Sequence, residues 1–157
     1  MFAVLAVVLP LSAPAAQEAQ KLPVPRFVSL SADEVNLRTG PGIRYPIRFI
    51  IRKEGLPVEV IREFEVWRQI RDMEGGEGWV HQSMLSGRRN VTLRGQIQTL
   101  RDKPDDDAKP VVKAEPGVIA AVEKCDTGWC RLKIASYKGW VPKNVLWGVY
   151  PDEKIED

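Results

Sequence analysis

The sequence predicts an all-β protein made of two small barrels in tandem. Three observations carry that expectation. Short β-type runs, "FVSL", "VNLR", "IRFII", "PVEVI", "WRQIR" and "GWV", are separated by turn residues. No stretch keeps a helical period for more than two turns, and strands at such spacing indicate a small barrel or sandwich. Finally, the second half of the chain copies the first.

The copy can be laid out residue by residue. "VEVIREFEVWRQIR" at 58–71 lies over "AAVEKCDTGWCRLK" at 120–133 without a gap, so Val60 falls on Val122, Trp67 on Trp129 and Ile70 on Leu132. After one residue of slippage, "EGWVHQSMLSG" at 77–87 lies over "KGWVPKNVLWG" at 138–148, and upstream "NLR" at 36–38 matches "TLR" at 99–101. The period is about 62 residues. The expected layout is a secretion signal over 1–16, a linker over 17–26 marked by Pro23 and Pro25, one body over 27–89, a second over 90–150, and a C-terminal tail over 151–157. A barrel of about 60 residues is marginal alone, so a covalent staple in one copy and packing between the copies both make physical sense.

Composition narrows the function classes. The 157 residues are 44% hydrophobic and 28% charged, the range of a folded soluble protein. Lys and Arg total 23 against 21 Asp and Glu. No basic stripe of the kind that neutralises phosphates appears, so no nucleic-acid partner is expected. The start, "MFAVLAVVLPLSAPAAQEAQ", has an apolar run followed by small residues, with Ala13 and Ala15 placed as a cleavage pair. The run is too short to cross a bilayer, which takes about 20 residues, so no integral span is expected. No Lys or Arg precedes it; either the start lies upstream or the signal is a weak one. The expected location is the periplasm or outside the cell.

Outside the cytosol the two cysteines, Cys125 and Cys130, are expected to pair. CxxxxC is not the CxxC of a dithiol catalyst. Zinc would need two more ligands, and the one histidine, His81, is far away in sequence. The reading is a staple that fixes a hairpin, with no metal and no cofactor. Along the same strand, Cys130, Leu132 and Ile134 point to the core, which places the bridge at the rim of that core. Trp129, Arg131 and Lys133 take the opposite face, where Trp129 is either a lid over the barrel edge or, with Arg131, an exposed stacking platform.

Catalysis finds little support. Any Ser–His or Cys–His scheme must use His81, which aligns with Pro142 in the second copy and reads as a surface or rim residue, with part of a binding site as the alternative. "PDDDAKP" at 104–110 lacks the alternating oxygen pattern of a calcium loop and reads as a solvated turn. No enzyme is expected.

The first copy resembles the bacterial SH3-like domain. The resemblance rests on Asn36, Leu37, Arg38, Gly40, Pro41, Gly42 and Tyr45, then Gly55, Val58 and Val60, then Trp67 and Ile70, and last Gly78, Trp79 and Val80. It covers residues 25–149 and is similar to a two-copy, exported kind found in Gram-negative bacteria. The second copy keeps Leu100 and Arg101 but has lost the Gly-Pro-Gly turn and the tyrosine position. Gly40 and Gly42 are expected to permit a tight turn with positive φ. A β-branched residue in place of Gly78 or Gly139 would crowd a barrel corner. Arg38 is placed on the outer face, bonding loop carbonyls.

Tyr45, Trp67 and Trp79, with Arg38 and Arg71 nearby, are the candidate lining of an aromatic and cationic groove suited to an extended peptide. The ligand that the resemblance implies is cell-wall peptide from peptidoglycan. The expected function is therefore an exported, non-enzymatic binding protein for cell-wall peptide or an envelope protein. The alternative is an envelope scaffold with no small ligand.

Overall fold

The computed structural model describes residues 21–156, all of them in or beside two antiparallel sheets. The expected secretion signal lies outside the described residues. The first sheet contains β1 (Arg26–Leu30), β2 (Val35–Arg38), β3 (Ile47–Ile51), β4 (Pro57–Phe64), β5 (Trp67–Arg71), β6 (Glu77–His81) and β7 (Leu85–Ser86), in the order β3-β2-β6-β5-β4-β1-β7. The second contains β8 (Asn90–Leu93), β9 (Gln98–Arg101), β10 (Pro110–Ala114), β11 (Ile119–Cys125), β12 (Trp129–Ile134), β13 (Tyr137–Pro142) and β14 (Leu146–Trp147), in the order β10-β9-β13-β12-β11-β8-β14. Strand for strand the two orders are the same. Single 3-10 turns, Gln82–Met84 and Lys143–Val145, recur at the same place. No α-helix occurs among the described residues. The all-β, two-body fold expected from sequence is the fold observed.

Each sheet wraps its own core. Leu30, Leu37, Ile70 and Val80 are buried in the first, and their repeat partners Leu93, Leu100, Leu132 and Val141 in the second. Even the strand irregularity recurs: register shifts between Val60 and Arg62 in one copy and between Val122 and Lys124 in the other. Gly78 and Gly139 show why the corner demands glycine. A Cβ on Gly78 would lie 2.7 Å from Leu37 Cβ, and one on Gly139 2.8 Å from Leu100 Cβ.

Cys125 and Cys130 form the expected disulfide. It does not sit at the rim: both residues are fully buried within the second core. The reason is the C-terminal segment, which folds back over them. Cys125 and Ile155 exchange backbone hydrogen bonds of 2.8 and 3.0 Å. Arg89 donates to Glu153 at 3.0 Å, and the Lys143 ammonium donates to the carbonyls of Pro151 and Glu153.

The two repeats pack against each other through the outer face of β1. Leu30 points into the first core, while Phe27 and Ser29 point away from it and are nonetheless buried. Their cover comes from beyond the first sheet. Phe27 meets Trp147 edge-on at 5.0 Å and Tyr150 at 4.7 Å. The indole of Trp147 donates to the Pro57 carbonyl at 3.1 Å, Asn90 donates to Gly55 at 2.8 Å, and Ser29 donates to the Arg88 carbonyl at 2.8 Å.

Candidate functional site

On β5, Ile70 enters the core, so Trp67, Gln69 and Arg71 face outward. Antiparallel pairing sets them opposite His81, Trp79 and Glu77 of β6. Three cross-strand pairs thus form one ladder of aromatic and charged groups. At its end the Trp67 and His81 rings stand edge-on with centroids 5.6 Å apart. Nδ1 of His81 accepts the Ser83 backbone N–H at 3.2 Å and lies 2.7 Å from Ser83 Oγ. An Nδ1 that accepts places the proton of a neutral ring on Nε2. The contact with Ser83 is also the cap of the following 3-10 turn, which gives it a structural origin.

The loop between β2 and β3 forms the opposite wall. The Arg38 guanidinium donates to the carbonyls of Ile43 and Tyr45 at 3.1 and 3.0 Å, which holds the loop in shape from inside. Arg101 does the same in the second repeat, donating to the Ala108 carbonyl at 2.7 Å. Gly40 and Gly42 do not adopt positive φ. Gly40 is needed for space instead: a Cβ there would fall 2.3 Å from the Tyr45 ring, which lies against it. Between this loop and the ladder runs a groove of about 300 Å³, lined by Arg38, Ile43, Trp67, His81, Ser83 and Met84, with Glu34 and Asn36.

The five candidates of the first repeat therefore have different positions. Arg38 and Trp67 share the groove. Tyr45 stands outside its lining, against Gly40 and 46% exposed. Trp79 lies further up the ladder with the Arg62 guanidinium 5.8 Å above its ring, and Arg62 is itself fixed by Gln69 at 2.6 Å. Arg71 is engaged by Glu77 at 2.9 Å and Glu59 at 3.4 Å. Ser83, Met84, Ile43, Glu34 and Asn36 complete the lining and were not among the candidates, and His81, whose binding reading was only the alternative, joins them. The alternation of Trp67 with His81 across a hairpin was the signal that points to the histidine.

In the second repeat Trp129 faces Pro142 and Arg131 faces Trp140 across β12 and β13. Arg131 lies 3.6 Å from Glu123, which also accepts from Lys138 at 2.7 Å. The Lys138 hydrogen bond, more than the neighbouring cations, holds the Glu123 carboxyl below its ordinary range. Trp129 sits half-buried on this outer face, and the seam between the repeats is built from Phe27, Trp147 and Tyr150 instead. No cluster of three or more metal-ligating side chains occurs among the described residues.

Comparison with known proteins adds the following. A family model described as "Bacterial SH3 domain" matches residues 31–87 and again 94–148. Over 123 residues the chain is 28% identical to "Putative N-acetylmuramoyl-L-alanine amidase YrvJ" of Bacillus subtilis (strain 168), across 71% of this chain and 24% of that protein's length. Among solved structures, NlpC2 from Trichomonas vaginalis gives a TM-score of 0.36 at 11% identity over 81% of this chain and 49% of its own. NlpC1 from the same organism gives 0.35 at 11% identity, over 87% and 50%.

Proposed function

Because the chain belongs to the bacterial SH3 domain family, with two copies of that domain in tandem, we propose that it is an exported, non-enzymatic binding protein for cell-wall peptide. One observation carries the reading: the groove in which the Trp67–His81 wall faces the loop held by Arg38. A flat indole and an imidazole suit an extended backbone carrying small side chains, and Glu34, which also accepts from Arg52 at 3.0 Å, lies beside them for an amine. Export to the periplasm or beyond is supported by the buried disulfide, since such bridges persist in oxidising compartments. The relative named as an N-acetylmuramoyl-L-alanine amidase favours the wall over other sources of peptide, because N-acetylmuramoyl-L-alanine is the sugar–peptide junction of peptidoglycan. The Ser83–His81 contact is read as a turn cap rather than a nucleophile and its base, since Ser83 also gives its own backbone N–H to the same nitrogen.

The test is sedimentation with purified peptidoglycan sacculi. The protein is expected in the pellet, and Trp67→Ala is expected to move most of it to the supernatant. A wild-type protein that stays wholly soluble overturns the reading.

A second reading, an envelope scaffold, draws on the seam in which Phe27 is buried between the repeats, because a fixed angle between two bodies is what a scaffold requires. It calls for co-purification with a specific envelope protein and indifference to sacculi.

A further inference from the structure

The two repeats enclose a cleft of about 520 Å³. It is separate from the groove beside Trp67 and shares none of its lining. Phe27 from β1, Trp147 from β14 and the aliphatic Leu146 and Val149 supply its apolar surface. Phe27 and Val149 fall outside both segments matched by the family model, so the cleft depends on how this chain joins its copies. A concave, mostly apolar space of this volume with a few polar groups is the usual form of a small-molecule site.

The polar groups select the ligand. Glu59 is already satisfied, with one oxygen accepting the Tyr150 hydroxyl at 2.9 Å and the other facing Arg71 at 3.4 Å. Lys143 is different. It is only 7% exposed, and its ammonium donates to two neutral carbonyls, those of Pro151 and Glu153. An ammonium has three donors, so among the described residues one N–H has no acceptor and the charge has no carboxylate in contact. Asp126 and Glu153 act on it only at longer range. Arg94 lines the same cleft, is exposed, and spends its side chain on one long bond of 3.4 Å to the Asn144 carbonyl. Two cations with unused donors beside aromatic rings favour an anion with an apolar body.

We propose that the cleft between the repeats is a second binding site, for a small carboxylate carrying an aromatic or branched aliphatic group. The carboxylate meets Lys143 and Arg94, and the apolar group packs chiefly on the half-buried Trp147 and Tyr150, since Phe27 and Leu146 offer little open surface. This site does not rest on the wall-binding reading and stands or falls separately.

The test titrates the full chain, followed by ¹H–¹⁵N NMR, with 3-phenylpropionate and with its neutral analogue 3-phenylpropan-1-ol. Expected are shifts at Gly128, at Asn144 and at the Trp147 indole N–H, with the acid binding about tenfold or more tighter than the alcohol. Arg94→Gln and Lys143→Met are expected to erase that preference while Trp67→Ala leaves it intact. Arg94 is exposed, so its variant keeps the test decisive even where the Lys143 variant fails to fold. Equal binding of acid and alcohol overturns the proposal. So do shifts centred on Trp67 and His81, or no shifts at millimolar ligand.

Discussion

The Tyr150 hydroxyl donates to Oε1 of Glu59 at 2.9 Å, joining a residue that follows the second sheet to a strand of the first. The bond sits in a part-buried seam, and desolvation together with the Glu59 carboxylate pushes the ionisation of this phenol far above its ordinary value of 10.0. A group with a raised folded pKa contributes stability that is fully present below the unfolded value and fades as pH rises toward the folded one. The protein is therefore expected to lose stability above pH 10, and Tyr150→Phe to lose less of it there. At neutral pH the same variant forfeits one hydrogen bond to a carboxylate, about 1.5–3 kcal/mol, readable as a lower urea midpoint.

Acid should act through the other end of the same cluster. Burial opposes ionisation of Glu153, but the Arg89 guanidinium and the Tyr150 backbone N–H outweigh it and hold the carboxyl below its ordinary 4.5. A depressed folded pKa gives stability that is complete above the unfolded value and disappears as pH falls through the folded one. Urea midpoints should hold steady down to about pH 4.5 and then drop. Glu153→Gln is expected to be less stable at neutral pH and to show a shallower decline below pH 4.5. An unchanged acid slope would remove Glu153 from the account.

How much of this was legible in sequence depends on what kind of contact is involved. The duplicated fold was, because Leu37, Ile70 and Val80 recur about 62 residues on as Leu100, Leu132 and Val141, and alternation fixes which face they take. The loop clamp of Arg38 was legible for the same reason. The seam was not. Phe27 reads as one more outward residue of β1, and its cover comes from Trp147 and Tyr150, more than a hundred residues along the chain. The groove was half legible: Trp67 and Arg38 stand out by type, whereas Ile43, Ser83 and Met84 join them only through the bend of a loop and a 3-10 turn. Burial of the disulfide was missed because the segment that covers it looks like a polar tail, "YPDEKIED", and its contact with Cys125 is made by backbone atoms.

The paired corner glycines give a direct check on the duplication. A methyl added at Gly78 must displace Leu37, and one at Gly139 must displace Leu100, each from under 3 Å. Both leucines are core residues with little room to yield. Gly78→Ala and Gly139→Ala should each cost about 1–3 kcal/mol in chemical denaturation. A large cost in one repeat and none in the other would contradict the equivalence of the two corners.

The staple should matter locally. Cys125 and Cys130 close a loop of six residues, for which chain entropy gives about 2 kcal/mol. The Cys125→Ala, Cys130→Ala double variant should melt earlier by that amount plus the cost of the space vacated in the core, and its NMR changes should centre on β11, β12 and Ile155. Thiol titration of denatured, unreduced wild-type protein is expected to find no free thiol.

The two repeats should differ in ligand binding because their outer faces differ in what surrounds the tryptophan. Trp67 stands beside an imidazole and opposite a loop that Gly40 and Tyr45 shape, and together these enclose a groove. Trp129 stands beside Pro142, Arg131 is drawn to Glu123, and the corresponding loop has no Gly-Pro-Gly turn. In sacculus sedimentation, Trp67→Ala and His81→Ala should each weaken retention about tenfold or more, the loss of one aromatic or hydrogen-bonding contact at the centre of a site. Gly40→Ala should do the same indirectly, by expelling the Tyr45 ring and reshaping the loop. Trp129→Ala should leave retention nearly unchanged. The opposite ranking would transfer the binding face to the second repeat and make Trp129, with Arg131, its platform.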